Sequence, residues 1–238
     1  MKNRLVAIRE RLSPAGIDGL LITRPENRRY MTGFTGSAGV VVVTADDACF
    51  ITDFRYVEQA AYQAPEFTVI KHEVKIADTL RAVAEKAGIK KLGFEKDVIT
   101  YKQHETFSSA LPGIELVPTE GIVETLRTVK DEHEIDYIRR AEAIGDAAFS
   151  HILDIIKPGM TEIDVALEIE WFMRKSGAEG IGFEVIIASG ERGAMPHGVA
   201  SSKKLAEGEL IVMDFGAVYQ GYRGDMTRTV SLGKASPE

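Results

Sequence analysis

Two aspartates, Asp214 and Asp225, are the residues whose type and spacing most clearly suggest chemistry. The segment that carries them, residues 209–230, predicts a β-hairpin that turns around Tyr219 and Gln220. With the turn centred between these two residues, Asp214 is expected directly opposite Asp225, and apolar and glycine neighbours suggest that both are buried. Facing carboxylates repel unless a proton, an arginine or a cation neutralises them. A divalent metal fits best, because carboxylate oxygens are hard ligands for Mn²⁺, Mg²⁺ or borderline Zn²⁺.

The spacing of the aspartates leaves two interpretations open. A bridging pair of carboxylates suits two metal ions ~3.5–4 Å apart that activate a hydroxide. In the alternative, Arg223 or Arg228 pairs with the aspartates and no cation binds. Thr227 follows Asp225 by two residues, so on a strand it shares the same face. It is a candidate for a hydrogen bond to a metal ligand, although strand propensity alone explains it equally well.

His197 is the candidate catalytic histidine. A neutral imidazole at pH 7 is suited to hydrogen-bonding a carbonyl group or an oxyanion. The alternative is a loop histidine without a role, and the residue alone does not decide between the two. The other four histidines have no partner pattern and are interpreted as surface or helix positions: His72, His104, His133 and His151.

Composition and charge narrow the class of protein. The 238 residues carry 29 Lys and Arg against 36 Asp and Glu, and the net charge of −7 comes from residues 123–238. An acidic surplus without a basic patch argues against nucleic acid and anionic membranes as partners.

No apolar run reaches the ~20 residues that cross a bilayer, and the N-terminus lacks the apolar core of a signal peptide. The single cysteine, Cys49, excludes an intrachain disulfide and a thiolate zinc site and predicts a buried, reduced thiol, so a cytoplasmic protein is expected.

Residues 1–122 alternate short apolar strands with amphipathic helices, which predicts an α/β domain. Helical spacing predicts one helix through Leu5, Ile8 and Leu12 and another that begins near Ile76. Strands are expected at residues 19–23, 40–43, 48–52, 67–71, 91–95 and 114–117. Residues 123–130 are expected to form a linker.

Residues 131–238 have a different pattern, helices followed by strands, which predicts an α+β domain. Asp131 with Glu134 predicts the start of a long helix, and Thr161 with Asp164 predicts the start of a second one. Strands are expected at residues 183–188, 209–217 and 222–232. The hairpin with both aspartates therefore lies in the second domain, after its helices.

The aspartate segment resembles the "pita-bread" metallopeptidases, a family that includes methionine aminopeptidases, prolidases and Xaa-Pro aminopeptidases. Asp214 and Asp225, with Gly216, Gly221 and the run Asp-Met-Thr-Arg-Thr at 225–229, look like the family's first two metal ligands. Residues 183–190 and Pro196-His197-Gly198 are similar to its substrate-side histidine loop, and residues 126–135 resemble the segment that opens its catalytic domain.

The first domain carries a resemblance of its own. Residues 27–37 and 52–60 look like the creatinase-type N-terminal domain that the prolidase and Xaa-Pro aminopeptidase branch carries. The expected fold is therefore a creatinase-type α/β domain, residues 1–122, followed by the first half of an α+β pita-bread catalytic domain, residues 131–238.

The resemblance implies a metal-dependent exopeptidase that cleaves N-terminal Xaa-Pro bonds, as an aminopeptidase or a dipeptidase. Asp214 and Asp225 would hold two divalent ions, Mn²⁺ or Co²⁺ by family expectation with Zn²⁺ also compatible. His197 would orient the scissile carbonyl or stabilise its oxyanion. The implied partners are a small peptide with proline at its second position and a second copy of the chain in a homodimer.

The sequence departs from the family at one point. The dinuclear site of the family also uses a His and two Glu further along the chain, and these would lie past residue 238. The segment Ser236-Pro237-Glu238 has the pattern of a helix start, so a fragment is expected that binds metal weakly and hydrolyses nothing. It is also expected to associate, either through its N-terminal domain or through the strand edges and apolar face of the cut surface. Two other functions stay open: a metal-free creatinase-type amidinohydrolase, and a non-enzymatic pita-bread module that binds peptides or proteins.

Overall fold

The computed structural model describes residues 2–235, and the chain divides into two units, Met1–Val129 and Lys130–Glu238. Each unit has a hydrophobic core of its own. The helix start expected at Ser236-Pro237-Glu238 lies outside the described residues.

A six-stranded sheet with helices on both faces forms the first unit. The strand order is β4-β3-β2-β1-β5-β6, and β2 runs antiparallel to both of its neighbours while the other pairs are parallel. The strands are β1 (Gly19–Ile22), β2 (Val40–Thr44), β3 (Ala48–Thr52), β4 (Thr68–Lys71), β5 (Lys91–Glu95) and β6 (Glu115–Thr119), and the helices are α1 (Lys2–Leu12), α2 (Pro25–Thr32), α3 (Val57–Gln63), α4 (Ile76–Lys86), α5 (Tyr101–Ala110) and α6 (Ile122–Thr128).

The valine run in β2 shows why this part of the sequence forms a central strand. Val41 and Val43 pack into a core with α1 and α2, whereas Val40 and Val42 pack into a second core with α4 and α5. Because both faces of the strand are covered, the sequence is continuously apolar instead of alternating. Cys49, on the neighbouring strand, is only half-buried, and its burial raises the pKa of its thiol.

The linker expected at residues 123–130 is mostly the helix α6. Val123 is buried in the first core, and Ile122 and Leu126 pack against that core. These residues have the spacing of one helix face, which stabilises α6 against the unit instead of leaving the segment extended. The first unit therefore continues past residue 122.

A buried carboxylate at the end of β5 ties two helices to the sheet of the first unit. Glu95, 5% exposed, accepts hydrogen bonds from the backbone nitrogen atoms of Thr23 (2.6 Å) and Arg24 (2.8 Å) and from Nδ2 of Asn27 (2.6 Å). Asn27 Nδ2 also donates to Oε1 of Glu124 on α6 at 2.6 Å. Glu95 thus provides an acceptor where α2 begins without a side-chain cap of its own.

Two helices and two small antiparallel sheets form the second unit. Its sheets have the orders β11-β10-β7 and β12-β9-β8. The helices are α7 (Glu132–Ile155) and α8 (Glu162–Lys175), the strands are β7 (Gly180–Ile181), β8 (Ile186–Ser189), β9 (Leu210–Phe215), β10 (Ala217–Tyr219), β11 (Tyr222–Arg223) and β12 (Met226–Ser231), and a 3-10 helix covers Gly190–Ala194.

Both predicted helix starts in the second unit are confirmed. Asp131 with Glu134 and Thr161 with Asp164 form reciprocal capping boxes. The two helices pack their apolar faces onto the sheet that contains β9, in a core that includes Ile144, Ala148, Ile152, Val165, Ile169, Met173, Ile187, Ile211, Met213 and Phe215. The strand expected at 183–188 is shorter and begins at Ile186.

The described part of the chain, residues 2–235, contains no helix with both the length and the apolar character needed to cross a bilayer.

Substitution of Gly216 by alanine tests the close approach of two backbone segments. Gly216 lies between β9 and β10, and the backbone of Gly224 packs directly against it. An added Cβ at Gly216 would overlap the carbonyl oxygen of Gly224, whereas at Gly180 of β7 the nearest atoms would lie 3.8 Å away. We expect Gly216→Ala to lower the unfolding free energy by about 3 kcal/mol or more through overpacking. Urea denaturation followed by the fluorescence of Trp171, the only tryptophan, measures it in the second unit.

The matched control for this substitution is Gly180→Ala in β7, the strand that pairs with β10. Because alanine is favoured over glycine inside a strand, we expect a change within about 1 kcal/mol in the stabilising direction. Equal destabilisation by the two substitutions would contradict the close approach at Gly216.

Substitution of Glu95 tests the carboxylate that anchors α2. Glu95→Gln places an amide among donors that need an acceptor, so we expect the first unit to lose about 2 kcal/mol or more. Glu115→Gln, which removes only an exposed pair with Lys91 at 3.6 Å, is expected to cost less than about 0.5 kcal/mol. Circular dichroism in urea measures both losses, and hydrogen exchange at the Thr23 and Arg24 amides localises them. Unchanged protection of these amides in Glu95→Gln would contradict the anchor.

Candidate metal centre

The alternation of β9 places Asp214 on the face of its sheet that points away from the helices. Ile211, Met213 and Phe215 are fully buried in the core, whereas Val212 and Asp214 are half-buried on the opposite face. This is the two-residue period of a strand with one face in the core. The sequence therefore presents the Asp214 carboxylate on the face that the two helices leave uncovered.

The Asp214 carboxylate has an unsatisfied oxygen. Asp214 lies on the central strand of its sheet, between Thr227 of β12 and Ile186 of β8, and its Oδ1 atom is buried with no hydrogen-bond partner among residues 2–235. A buried polar atom without a partner is costly unless another group completes it. A cation is such a group, so the surroundings of Asp214 fit a metal ligand.

The expected pairing of Asp214 with Asp225 is wrong by two residues. Gln220 and Gly221, with φ of 49° and 77°, form a two-residue turn, and Tyr219 pairs with Tyr222. Positive φ at both central residues is the signature of a type I′ turn, whose twist matches that of the strands it joins. The turn is centred one residue later than expected, so Thr227 lies opposite Asp214.

Asp225 takes the diagonal position relative to Asp214, just before β12 begins. Its side chain is exposed, contrary to the expected burial. The backbone nitrogen of Asp225 donates to Oε1 of Glu142 on α7 at 3.1 Å, which fixes the chain there. The two aspartates thus take diagonal positions across the hairpin, without the direct opposition that would make them repel most strongly.

The arginines considered as counter-ions do not neutralise the aspartates. Arg228 is paired with Met213, so it lies on the core side of the sheet, and its guanidinium is 3.5 Å from the carboxylate of Asp146 on α7. Within residues 2–235, Arg223 makes no ion pair with either aspartate. The alternative in which arginine takes the place of a cation is therefore not favoured by the structure.

The loop that carries His197 lies along the same face as Asp214. An added Cβ at Gly198 would be 3.0 Å from the side chain of Ala188, which pairs with Val212 and so shares the face of Asp214. Val199 forms an isolated bridge with Ile186. His197 itself is exposed in a turn. The structure thus brings the histidine loop to the sheet face that carries Asp214, and the roles of His197 and Thr227 stay predictions.

A buried carboxylate that sequence reasoning missed holds this loop. Glu162, the first residue of α8, is 0% exposed and accepts hydrogen bonds from the backbone and side chain of Ser189 and of Ser201, and it pairs with Arg192. Burial alone would raise the pKa of Glu162, but these hydrogen bonds outweigh it and lower the pKa. The sequence marks Glu162 only as part of a helix start, because its partners lie in irregular segments.

The aspartates are the donor set that the described residues offer. Among residues 2–235, no three or more His, Cys, Asp or Glu side chains come together in a group that could hold a metal ion. Two carboxylates, one of them with a buried unsatisfied oxygen, are fewer donors than the four to six that divalent ions usually take from proteins and water.

Both units match known protein families. Residues 4–129 match the Creatinase/Prolidase N-terminal domain, and residues 136–238 match Metallopeptidase family M24. The chain is 47% identical over 235 residues to an uncharacterized peptidase of Bacillus subtilis, a match that covers 99% of this chain and 67% of that protein. It is 32% identical over 235 residues to a Xaa-Pro dipeptidase of Pyrococcus furiosus, a match that covers 98% of this chain and 66% of that protein.

A solved structure shows the same architecture. The chain is 46% identical to a Xaa-Pro dipeptidase from Bacillus anthracis, with a TM-score of 0.97 over 99% of this chain and 66% of that one. The chain thus spans about two thirds of the length of these relatives. The expected fold class, a creatinase-type N-terminal domain followed by part of a pita-bread domain, is confirmed. With both units matched in sequence and in structure, the chain belongs to metallopeptidase family M24 and carries the creatinase/prolidase N-terminal domain.

Proposed function

We propose that this chain is part of a metal-dependent peptidase that cleaves N-terminal Xaa-Pro bonds. The observation that carries the proposal is the buried Oδ1 of Asp214, which has no hydrogen-bond partner in the part of the chain that the structure describes. It lies on an open sheet face, with Asp225 and the loop of His197 nearby. Relatives described as Xaa-Pro dipeptidases support the choice of substrate, a small peptide with proline at its second position. The cytoplasmic location and the homodimer that the resemblance implies belong to the same proposal.

Asp214 and Asp225 would hold divalent ions, with Mn²⁺ or Co²⁺ as the family expectation. When bound, such ions polarise the scissile carbonyl and make water a strong nucleophile at neutral pH. Asp214 is positioned for this by the central strand of its sheet, and Asp225 by its backbone hydrogen bond to Glu142. Thr227, directly opposite Asp214, would restrict the orientation of that carboxylate.

His197 would act on the peptide and not on the metal. Its imidazole, exposed in a loop beside the Asp214 face, can donate a hydrogen bond to the scissile carbonyl and to the oxyanion that forms from it. A group that strengthens its hydrogen bond as negative charge develops stabilises the transition state more than the bound substrate. We therefore assign His197 to carbonyl orientation and oxyanion stabilisation.

The described residues offer two carboxylates as metal ligands, which limits how strongly they bind divalent ions. A dinuclear centre needs more donors than the described residues supply. We infer that the 238-residue chain binds divalent ions weakly and does not hydrolyse peptides alone.

Paramagnetic Mn²⁺ tests the metal ligands directly. We expect Mn²⁺ to broaden the amide NMR signals of residues next to Asp214 and Asp225, with a dissociation constant of roughly 10⁻⁴–10⁻³ M as for weak oxygen-donor sites. Asp214→Asn should weaken this binding at least about tenfold, because a carboxylate is replaced by a neutral amide. Asp154→Asn, at an exposed position of α7, is the matched control and should change nothing. Equal broadening in Asp214→Asn and the wild type would contradict the ligand assignment and favour the non-enzymatic module.

A pair of dipeptides tests the substrate class. With Mn²⁺ present, saturation-transfer NMR should show binding of Ala-Pro and much weaker binding of Pro-Ala, which has the same composition in reverse order. Free alanine and proline should not accumulate, because the described donors do not complete a dinuclear centre. Equal binding of the two dipeptides would contradict Xaa-Pro recognition. Hydrolysis of Ala-Pro would support the peptidase assignment and contradict the inference that the chain alone is inactive.

A further inference from the structure

We propose that Glu162 is a positioning residue for His197, because its carboxylate binds both ends of segment 190–201 and holds that segment beside the face of Asp214. The catalytic meaning of this inference depends on the proposed function of His197. The geometric part, that Glu162 fixes where the histidine lies, does not.

The Glu162 carboxylate divides its two oxygens between the two ends of the segment. Oε1 accepts from the backbone nitrogen and the Oγ of Ser189, both at 2.8 Å, where β8 ends and the segment begins. Oε2 accepts from the backbone nitrogen of Ser201 at 3.0 Å and from its Oγ at 2.6 Å, where the segment ends. One side chain therefore joins the two ends of the segment through hydrogen bonds.

Arg192 extends the same network across the segment. Its Nη1 pairs with Oε2 of Glu162, and its Nη2 donates to the carbonyl oxygen of Val199 at 2.8 Å. The position of Arg192 thus depends on the charge of Glu162, and the position of Val199 depends on Arg192. His197 lies between these two residues.

The backbone anchors the segment to the sheet near His197 through the isolated bridge of Val199 with Ile186, and the other backbone contacts around His197 are local. The carbonyl oxygen of His197 accepts from the nitrogen of Val199 at 2.9 Å, and the nitrogen of Gly198 donates to Met195 at 3.1 Å. These are turn contacts between near neighbours, so they shape the turn without fixing where it lies. A catalytic group has to be held within about 0.5 Å of its productive position, and displacement by ~1 Å costs about a hundredfold in rate.

Helix capping does not explain Glu162. The start of α8 is already capped by Thr161 and Asp164, and the backbone nitrogen atoms of Glu162 and Ile163 donate to the carbonyl oxygens of Lys203 and Ser201. The donors to the Glu162 carboxylate come from the end of β8 and from the segment, not from α8. A charged, fully buried carboxylate is costly unless it is paired, and here its pairing serves the segment.

Glu162→Gln is the decisive substitution, with Glu170→Gln on the same helix as its matched control. Glutamine keeps the shape of Glu162 but leaves Arg192 without its carboxylate. Glu170, in contrast, makes an exposed i,i+4 pair with Arg174 at 3.0 Å. We expect amides of residues 190–199 to exchange at least about tenfold faster in Glu162→Gln. Exchange in α7 and β9 should change much less, and Glu170→Gln should behave as the wild type.

Mn²⁺ provides a readout of position that a general loss of stability would not give. In the wild type, Mn²⁺ bound at Asp214 should broaden the imidazole signal of His197, which is assigned by its loss in His197→Gln. In Glu162→Gln, the amides next to Asp214 should still broaden, but the His197 signal should broaden less. Persistent broadening of both signals in Glu162→Gln would overturn the inference.

Ser201→Ala keeps the test valid if Glu162→Gln does not fold. It removes one hydroxyl donor to Glu162 while the carboxylate and Arg192 stay in place, so a smaller loss of protection confined to the end of the segment is expected. Unchanged exchange in 190–201, or an equal rise throughout the second unit, would overturn the inference. Absence of Mn²⁺ broadening at Asp214 in the wild type would instead contradict the proposed function, and exchange would then decide on Glu162 alone.

Discussion

The pairing of β9 with β12 determines the candidate metal centre, and the two-residue turn at Gln220–Gly221 determines that pairing. A type I′ turn allows one register between the strands it joins, and this register places Thr227 opposite Asp214. A one-residue slip of β9 would turn Asp214 into the core in place of Met213 and Phe215, and an unpaired carboxylate could not be accommodated there. Gly216 contributes to the same constraint, since the carbonyl of Gly224 occupies the space of a side chain.

The carboxylates of Glu162 and Asp214, both in the second unit, differ in whether their oxygen atoms receive hydrogen bonds. Glu162 is completely buried, yet each of its oxygens receives hydrogen bonds and Arg192 balances its charge. Asp214 is only half-buried, yet its Oδ1 receives no hydrogen bond within the described part of the chain. A satisfied buried carboxylate stabilises a structure, whereas an unsatisfied one on an open face is available for a ligand. This contrast separates the residue that holds the site from the residue that would bind a cation.

Local sequence signals predict much of this molecule, and long-range pairings explain the rest. The capping boxes at Asp131 and Thr161 and the valine run of β2 depend on near neighbours, so they can be read from the sequence. The turn centre could not be predicted, because it requires positive φ at Gln220, a residue that seldom adopts it. The contacts of Glu162 join residues far apart in the sequence, and no periodic pattern encodes them.

The placement of the candidate residues matches the precision that each role needs. A cation tolerates little displacement of its ligands, and Asp214 lies on a central strand, which is held by hydrogen bonds on both sides. A group that stabilises an oxyanion also has to stay close to its productive position, and His197 lies in a turn whose ends are fixed. Anchoring a turn at both ends limits where the residues between those ends can lie. An Asp214 carboxylate held on a central strand beside an anchored turn therefore supports the proposed hydrolysis of a small peptide over static binding of a protein surface.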